Sequence, residues 1–237
     1  MEPNKSIIYL LPATLHDEAL HTIPAYVTDA VKACTVFFTE NERTARRYLK
    51  KLVKDLVIDD HQWFSIHKAE QQVRDLFRQK IREGNCIGII SEAGSPCVAD
   101  PGQMLVAVAQ EEQVPVKPLV GPNSILLALM ASGMNGQRFQ FTGYLPVKEH
   151  DRVKLIRELE AESRKKSCTQ IFIETPYRND QLVEALLKNC QPSTRLCIAA
   201  ELTAAEEWIK TKSIKEWAQH KPILHKKQAI FLLYAGQ

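Results

Sequence analysis

The sequence predicts an α/β protein of two domains built on mainly parallel sheets. Three observations lead there. Short apolar runs alternate with helix-patterned segments along the whole chain, and the alternation breaks once, near Gly133, before resuming. At 237 residues the chain also exceeds the roughly 100–150 typical of one domain.

In chain order, residues 6–11 and 36–39 are apolar runs of the length of buried strands, and Pro24 between them is placed to open a helix reaching Cys34. Asn41 is placed to cap a basic helix that ends near Val53. Over 69–83, Val73, Leu76, Phe77 and Ile81 recur at the spacing of one helical face, and Gly84-Asn85 stops the pattern. The run 86–90 reads as a buried strand. A helix to about Glu112, a strand over 114–120, a turn at Gly121-Pro122-Asn123 and a small-residue helix over 124–132 follow, which closes a first domain of residues 1–136. The second domain, 137–237, carries strands at 139–143, 170–174, 195–201 and 228–234, with helices at 151–162 and 179–190. Strands that alternate with helices favour parallel sheets covered on both faces.

Hydrophobic residues make up 45% and charged residues 25%, the balance of a globular protein. No apolar run approaches the roughly 20 residues of a bilayer span, and the N-terminus lacks the basic-then-apolar plan of a secretory leader. The expected location is the cytoplasm, away from membranes. Six scattered cysteines without a C-x-x-C pair are expected to be structural thiols, and His16, His61, His67 and His150 show no metal spacing, so no metal is expected.

The net charge of +3 is unevenly spread: Arg43, Arg46, Arg47, Lys50, Lys51 and Lys54 form one basic cluster, and Lys148, Arg152, Lys154, Arg157, Arg164, Lys165 and Lys166 another. Either could neutralise phosphates, and either could be a solvated helix face. Trp208 and Trp217 are expected to anchor a helix onto the core rather than to stack bases.

Ligands of open α/β sheets bind outside the carboxyl ends of the strands. Two unusual loops have that address, Ala93-Gly94-Ser95-Pro96 after one strand and Gly121-Pro122-Asn123-Ser124 after another. Glycine lets the main chain approach a ligand and proline stiffens the path, although ordinary turns share this composition.

Further motifs accompany them in order: Asp100-Pro101-Gly102, Phe141-Thr142-Gly143-Tyr144-Leu145-Pro146, Ile171-Phe172-Ile173-Glu174-Thr175-Pro176-Tyr177-Arg178 and Glu201-Leu202-Thr203. In these the chain resembles the tetrapyrrole methylase superfamily, and within it the small-subunit ribosomal RNA ribose 2′-O-methyltransferases. The resemblance implies two α/β domains with S-adenosylmethionine bound between them, contacted by Pro12, by Ala93, Gly94, Ser95 and Pro96, by Val120, Gly121, Pro122, Asn123 and Ser124, and by Tyr144 and Pro176. It further implies an RNA or ribosomal-subunit partner and a homodimer. A ribose acceptor must lose a proton, for which Glu174, with Glu201 behind it, is the expected base, while Arg43 and Arg178 would hold an acidic substrate.

The sequence departs from that branch at Leu11-Pro12-Ala13, where a Gly-Asn-Leu is usual, and at Ala200 and Ala204, where cations flank the Glu-Leu-Thr. Two alternatives therefore stay open: a methyltransferase with a small-molecule, tetrapyrrole-like or other acceptor, and a cofactor-binding module without catalysis.

Overall fold

The computed structural model describes residues 6–66 and 70–236; residues 1–5, His67 and Ala69, which enter the sequence reading, lie outside them. The chain divides into two compact units, Met1–Asn123 and Ser124–Gln237.

In the first unit, strands β1 (Ile7–Leu11), β2 (Val36–Thr39), β3 (Gln62–Ser65), β4 (Cys86–Ile90) and β5 (Val116–Pro118) form a sheet in the order β3-β2-β4-β1-β5. Every neighbouring pair is parallel. Parallel pairing requires crossovers, and the helices α1 (Tyr26–Ala33), α2 (Glu42–Leu52), α3 (Glu70–Arg82) and α4 (Gln103–Glu111) lie in them.

Successive side chains of a strand point to opposite faces, so the apolar runs supply two cores. Val36, Phe38, Ile87 and Ile89 pack against Phe77 and Ile81 of α3 and Leu105 and Val108 of α4. Leu11, Phe37 and Ile90 pack against Val27 and Val31 of α1 and Leu49 of α2. Neighbouring strands β1 and β4 thus send their following helices, α1 and α4, to opposite faces. That divergence opens a crevice at their carboxyl ends, the switch point of an open α/β sheet.

The second unit contains α5 (Ser124–Ser132), β6 (Phe139–Tyr144), α6 (Glu149–Lys166), β7 (Thr169–Ile173), α7 (Asn179–Asn189), β8 (Arg195–Ala200), β9 (Trp208–Ser213), α8 (Ile214–Gln219) and β10 (Ala229–Tyr234). Its sheet runs β6-β7-β10-β8-β9. Here the pairing is mixed, unlike the mainly parallel sheet expected: β6 and β7 are parallel, whereas β10 is antiparallel to β7 and β8, and β9 is antiparallel to β8. The connection from β8 to β9, residues 201–207, is a short turn-rich reversal without a crossover helix, which makes that pair antiparallel.

Helix α5 belongs to this unit, so the division falls at Asn123/Ser124 and not at the expected 136. The physical reason is its packing on β8, β9 and β10, reinforced by the Thr211 hydroxyl, which donates to the Ser132 carbonyl at 2.8 Å. Trp217 on α8 is buried and its indole N–H donates to the Leu196 carbonyl at 2.8 Å, the helix anchor that was expected. Trp208 lies on β9, with its ring centroid 6.5 Å from that of Trp217.

Candidate active site

The loops that follow β1, β4 and β5 are joined at the carboxyl edge of the first sheet. Ala13 and Gly94 form an isolated antiparallel bridge, with the Ala13 N–H donating to the Gly94 carbonyl at 2.9 Å and the Gly94 N–H donating to the Ala13 carbonyl at 3.1 Å. Gly94 adopts φ +70°, a conformation side chains resist, and a Cβ there would lie 3.2 Å from Leu15 and 3.4 Å from the Pro122 carbonyl. Both polar groups of its backbone are thereby used within the protein. Gly94 shapes the loop, with its neighbour Ala93 exposed and Ser95 half-buried.

Gly121 is required for a different reason. A Cβ at this position would approach the Pro12 ring to 2.2 Å, and a proline ring cannot rotate away. The loop after β5 therefore lies directly on the loop after β1. Asn123 donates from its side-chain amide to the Ser95 hydroxyl at 3.2 Å, which ties the β5 loop to the β4 loop. Val120 is 69% exposed, and its N–H donates to the Tyr26 hydroxyl at 2.6 Å. Pro12 and Pro96 are buried beneath these contacts.

Helix α2 is fastened to the same edge. As expected, Asn41 caps it, its side-chain oxygen accepting from the N–H groups of Arg43 at 3.1 Å and Thr44 at 3.4 Å. The Thr44 hydroxyl donates to Glu92, and the Tyr48 hydroxyl donates to the Pro12 carbonyl at 2.6 Å. Burial pushes the Tyr48 phenol up, so it stays protonated and continues to donate. Arg43 itself is exposed.

Carboxylates crowd this corner. The Glu92 N–H donates to the Glu40 carboxylate at 2.8 Å, and Asp100 lies within their field. Burial, and then the charge of Glu40, push the Asp100 carboxyl up from 3.8 to about 6; a hydrogen bond with Ser91 opposes the shift, while Glu92 adds to it.

In the second unit, Glu174 and Arg178 form an ion pair. The Glu174 side chain is 1% exposed, and Arg178 donates to its Oε1 from Nη2 at 2.6 Å and from Nε at 2.9 Å. The Thr175 N–H donates to the same oxygen at 2.6 Å. Held this way through Oε1 the carboxylate orients the guanidinium, while its Oε2 is buried without a hydrogen-bond partner. Asn179, fully buried, donates to the Lys227 carbonyl at 2.7 Å, and the Lys226 N–H donates to the Pro176 carbonyl at 3.1 Å, so the Thr175–Arg178 turn is secured from both sides. Tyr144 is exposed at the end of β6. Glu201 adopts φ +53° and accepts from the Gln228 N–H, which makes it part of the β8–β10 junction. Ser124 opens α5 in this unit.

Among the described residues no three His, Cys, Asp or Glu side chains are placed to share a metal ion, and no helix is long and apolar enough to cross a membrane. The six cysteines are free thiols, with Cys34, Cys190 and Cys197 buried.

Known proteins agree with this architecture. Residues 9–218 match the family model of the Tetrapyrrole (Corrin/Porphyrin) Methylases. The chain belongs to the tetrapyrrole methylase family. With that membership it is placed among the S-adenosylmethionine-dependent methyltransferases. It is 29% identical over 213 residues to the ribosomal RNA small subunit methyltransferase I of Vibrio cholerae, covering 89% of this chain and 69% of that one. It is 33% identical over 178 residues to the protein of the same name from Micromonospora olivasterospora, covering 75% of this chain and 53% of the relative. A solved uroporphyrin-III C-methyl transferase from Thermus thermophilus, complexed with S-adenosylhomocysteine, shares the fold at a TM-score of 0.57 and 17% identity, covering 96% of each chain.

Several residues that shape this methylase edge were not singled out from sequence: Tyr26, Thr44, Tyr48, Glu40 and Glu92. Each acts through a contact between residues 36 to 94 positions apart or across neighbouring strands, and no local pattern announces that. Asp100 was noticed only as part of a motif, and its burial beside two carboxylates is a property of the fold.

Because the folded-state value of Asp100 lies above the 3.8 of the free carboxyl, the unfolded chain ionises first as pH rises. Stability from this group is fully present below about pH 4, falls towards pH 6 and is flat beyond. Asp100→Asn should therefore raise stability at pH 8 by about 0.5–1 kcal/mol, after allowance for solvent screening of a half-buried carboxyl. Thermal unfolding at pH 8 and pH 4 checks this: the gain should be present at the first and absent at the second.

Proposed function

We propose that this tetrapyrrole methylase transfers the methyl group of S-adenosylmethionine to the ribose 2′-oxygen of small-subunit ribosomal RNA, in the cytoplasm. The observation that carries the reading is the switch-point edge, where three loops are locked together and still leave Ala93, Ser95, Val120 and Asn123 near the surface. Pro12, Gly94, Pro96, Gly121 and Pro122 build its floor. The donor is a sulfonium cation, and the field of Glu40, Glu92 and Asp100 suits a positively charged ligand. The names of the curated relatives support the choice of small-subunit ribosomal RNA as acceptor.

S-adenosylmethionine supplies an electrophilic methyl group when bound. The chain's own contribution is to place the acceptor oxygen in line with it, the kind of positioning that provides much of the acceleration in such transfers. Arg178, oriented by Glu174, and Arg43 would contact acidic groups of the acceptor. Tyr144 and Pro176 remain proposed donor contacts on the family pattern.

One observation favours a smaller acceptor. Ala200 is fully buried in β8, so the position where the branch carries a cation offers no phosphate contact. Tritiated S-adenosylmethionine with unmethylated small ribosomal subunits separates the readings. Label should enter the RNA and the modified linkage should resist alkali, because a 2′-O-methyl group removes the nucleophile that alkali uses. Label in an alkali-sensitive linkage would place the methyl elsewhere than the ribose, and turnover with a small acceptor alone would remove RNA as the substrate. Donor binding without any transfer would leave the non-catalytic module.

Two copies of the chain are also proposed to associate, because Leu126 and Met130 on α5 and Phe139 on β6 leave apolar side chains exposed on the second unit. Sedimentation equilibrium at micromolar concentration should give twice the 26.9 kDa chain mass, and a Met130→Glu variant should shift the population to monomer. A wild-type monomer throughout that range contradicts the pairing.

A further inference from the structure

The two basic clusters look alike in sequence and differ in the structure. On α6 six cations are interleaved with five carboxylates. Arg152 is buried with a guanidinium nitrogen donating to the Val147 carbonyl at 3.0 Å, Lys166 pairs with Glu162 at 2.7 Å, and Arg157 donates to the Asn189 side chain at 3.0 Å. Those three are engaged in holding their own helix in place, while Lys154, Arg164 and Lys165 are exposed at separate points among the carboxylates and form no continuous row.

On α2 five cations stand against one carboxylate, Glu42, which is taken by Arg46 at 2.5 Å. Arg46 also lies over the Trp63 ring, 5.1 Å from its centroid. Lys50 donates to the Leu56 carbonyl at 2.7 Å, and Arg43, Arg47 and Lys51 remain. They occupy positions i, i+4 and i+8, one row of the helix surface, opposite the buried Ala45 and Leu49. All three are exposed, and among the described residues none of them forms an ion pair. Successive members of such a row advance by about 6 Å along the helix. This is a step of the order that separates neighbouring phosphates of a nucleic-acid strand.

The row also has a fixed origin. Its first member sits one residue from Thr44, which is bonded to Glu92, and Tyr48 between the later members is bonded to the Pro12 carbonyl. The helix is thus held in register with the loops of the candidate donor site, and the cations lead away from them.

We propose that the Arg43-Arg47-Lys51 row of α2 is a binding rail for the phosphate backbone of the RNA strand whose ribose is methylated. The inference rests on the RNA reading above and adds to it the surface, the direction and the residues. Phosphate contacts of this kind fix the register of a strand without reading its sequence. The rail therefore sets where along the strand the reactive ribose stops, while base recognition lies elsewhere.

The test is the salt dependence of binding to small-subunit ribosomal RNA, for wild type, for Arg47→Ala/Lys51→Ala, and for Arg164→Ala/Lys165→Ala on the exposed end of α6. Calorimetric binding of S-adenosylmethionine establishes that each variant is folded. Removal of two phosphate contacts should lower the slope of log K against log salt by about 1.4–1.8 in the α2 variant. The α6 variant should keep the wild-type slope. Equal slopes for wild type and the α2 variant, or an equal loss in both variants, would overturn the rail while leaving RNA as the substrate. A wild type that binds S-adenosylmethionine but shows no salt-dependent affinity for this RNA would overturn the RNA reading and the rail together.

Discussion

A pair of hydrogen bonds between Ala13 and Gly94 holds together the edge of this methylase that is proposed to receive the methyl donor. Open parallel sheets diverge at a switch point, and nothing in the sheet itself joins the loops on either side of the crevice. The bridge spans β1 and β4 at that place and makes their two loops one short ladder. Gly121 then lies on the Pro12 ring, and Asn123 reaches Ser95, so the β5 loop joins the same assembly. Leu11-Pro12-Ala13 differs from the Gly-Asn-Leu of the ribosomal RNA enzymes, yet it supplies both the bridge and the ring against which Gly121 packs.

Electrostatics divide this edge into two parts. The carboxylates of Glu40, Glu92 and Asp100 gather after β2 and β4, beside the proposed place of the cationic donor. Along α2 the sign reverses, with exposed Arg43, Arg47 and Lys51 leading outward. The proposed donor is a cation and the proposed acceptor a polyanion, which need opposite fields, and Thr44 and Tyr48 fix the two regions relative to one another. The second unit, taken by itself, carries Arg178 restrained by a buried Glu174 and has a mixed sheet.

Much of the first sheet was legible in the sequence because buried parallel strands are continuous apolar runs: β2 and β4 begin and end at the expected residues. β3 was not, since Gln62–Ser65 is an edge strand of four residues with its polar members at the ends. β9 was missed for a related reason: Trp208–Ser213 is an edge strand with Lys210 and Lys212, the charged kind that protects an edge and hides its apolar pattern. The boundary was placed late because α5 follows a glycine turn of the first unit in sequence but buries Ala128 and Leu129 in the second. The site loops could be read from Gly, Pro and Asn. The side chains that brace them could not, because Tyr26 and Tyr48 act on residues 94 and 36 positions away. Charge alone also could not separate α2 from α6, since the contacts that fasten α2 to the loops, and the row its exposed cations form there, belong to the fold.

The braced edge of β1, β4 and β5 is proposed to hold the methyl donor. Calorimetric titration with S-adenosylmethionine and S-adenosylhomocysteine, for wild type and for Val120→Trp, tests it most directly, because Val120 is exposed and its replacement leaves the floor of the site intact. Wild type should bind at micromolar strength, and the variant, of unchanged thermal stability, should lose at least tenfold, about 1.4 kcal/mol. Equal affinities of wild type and variant, or no binding by the folded wild type, would contradict it.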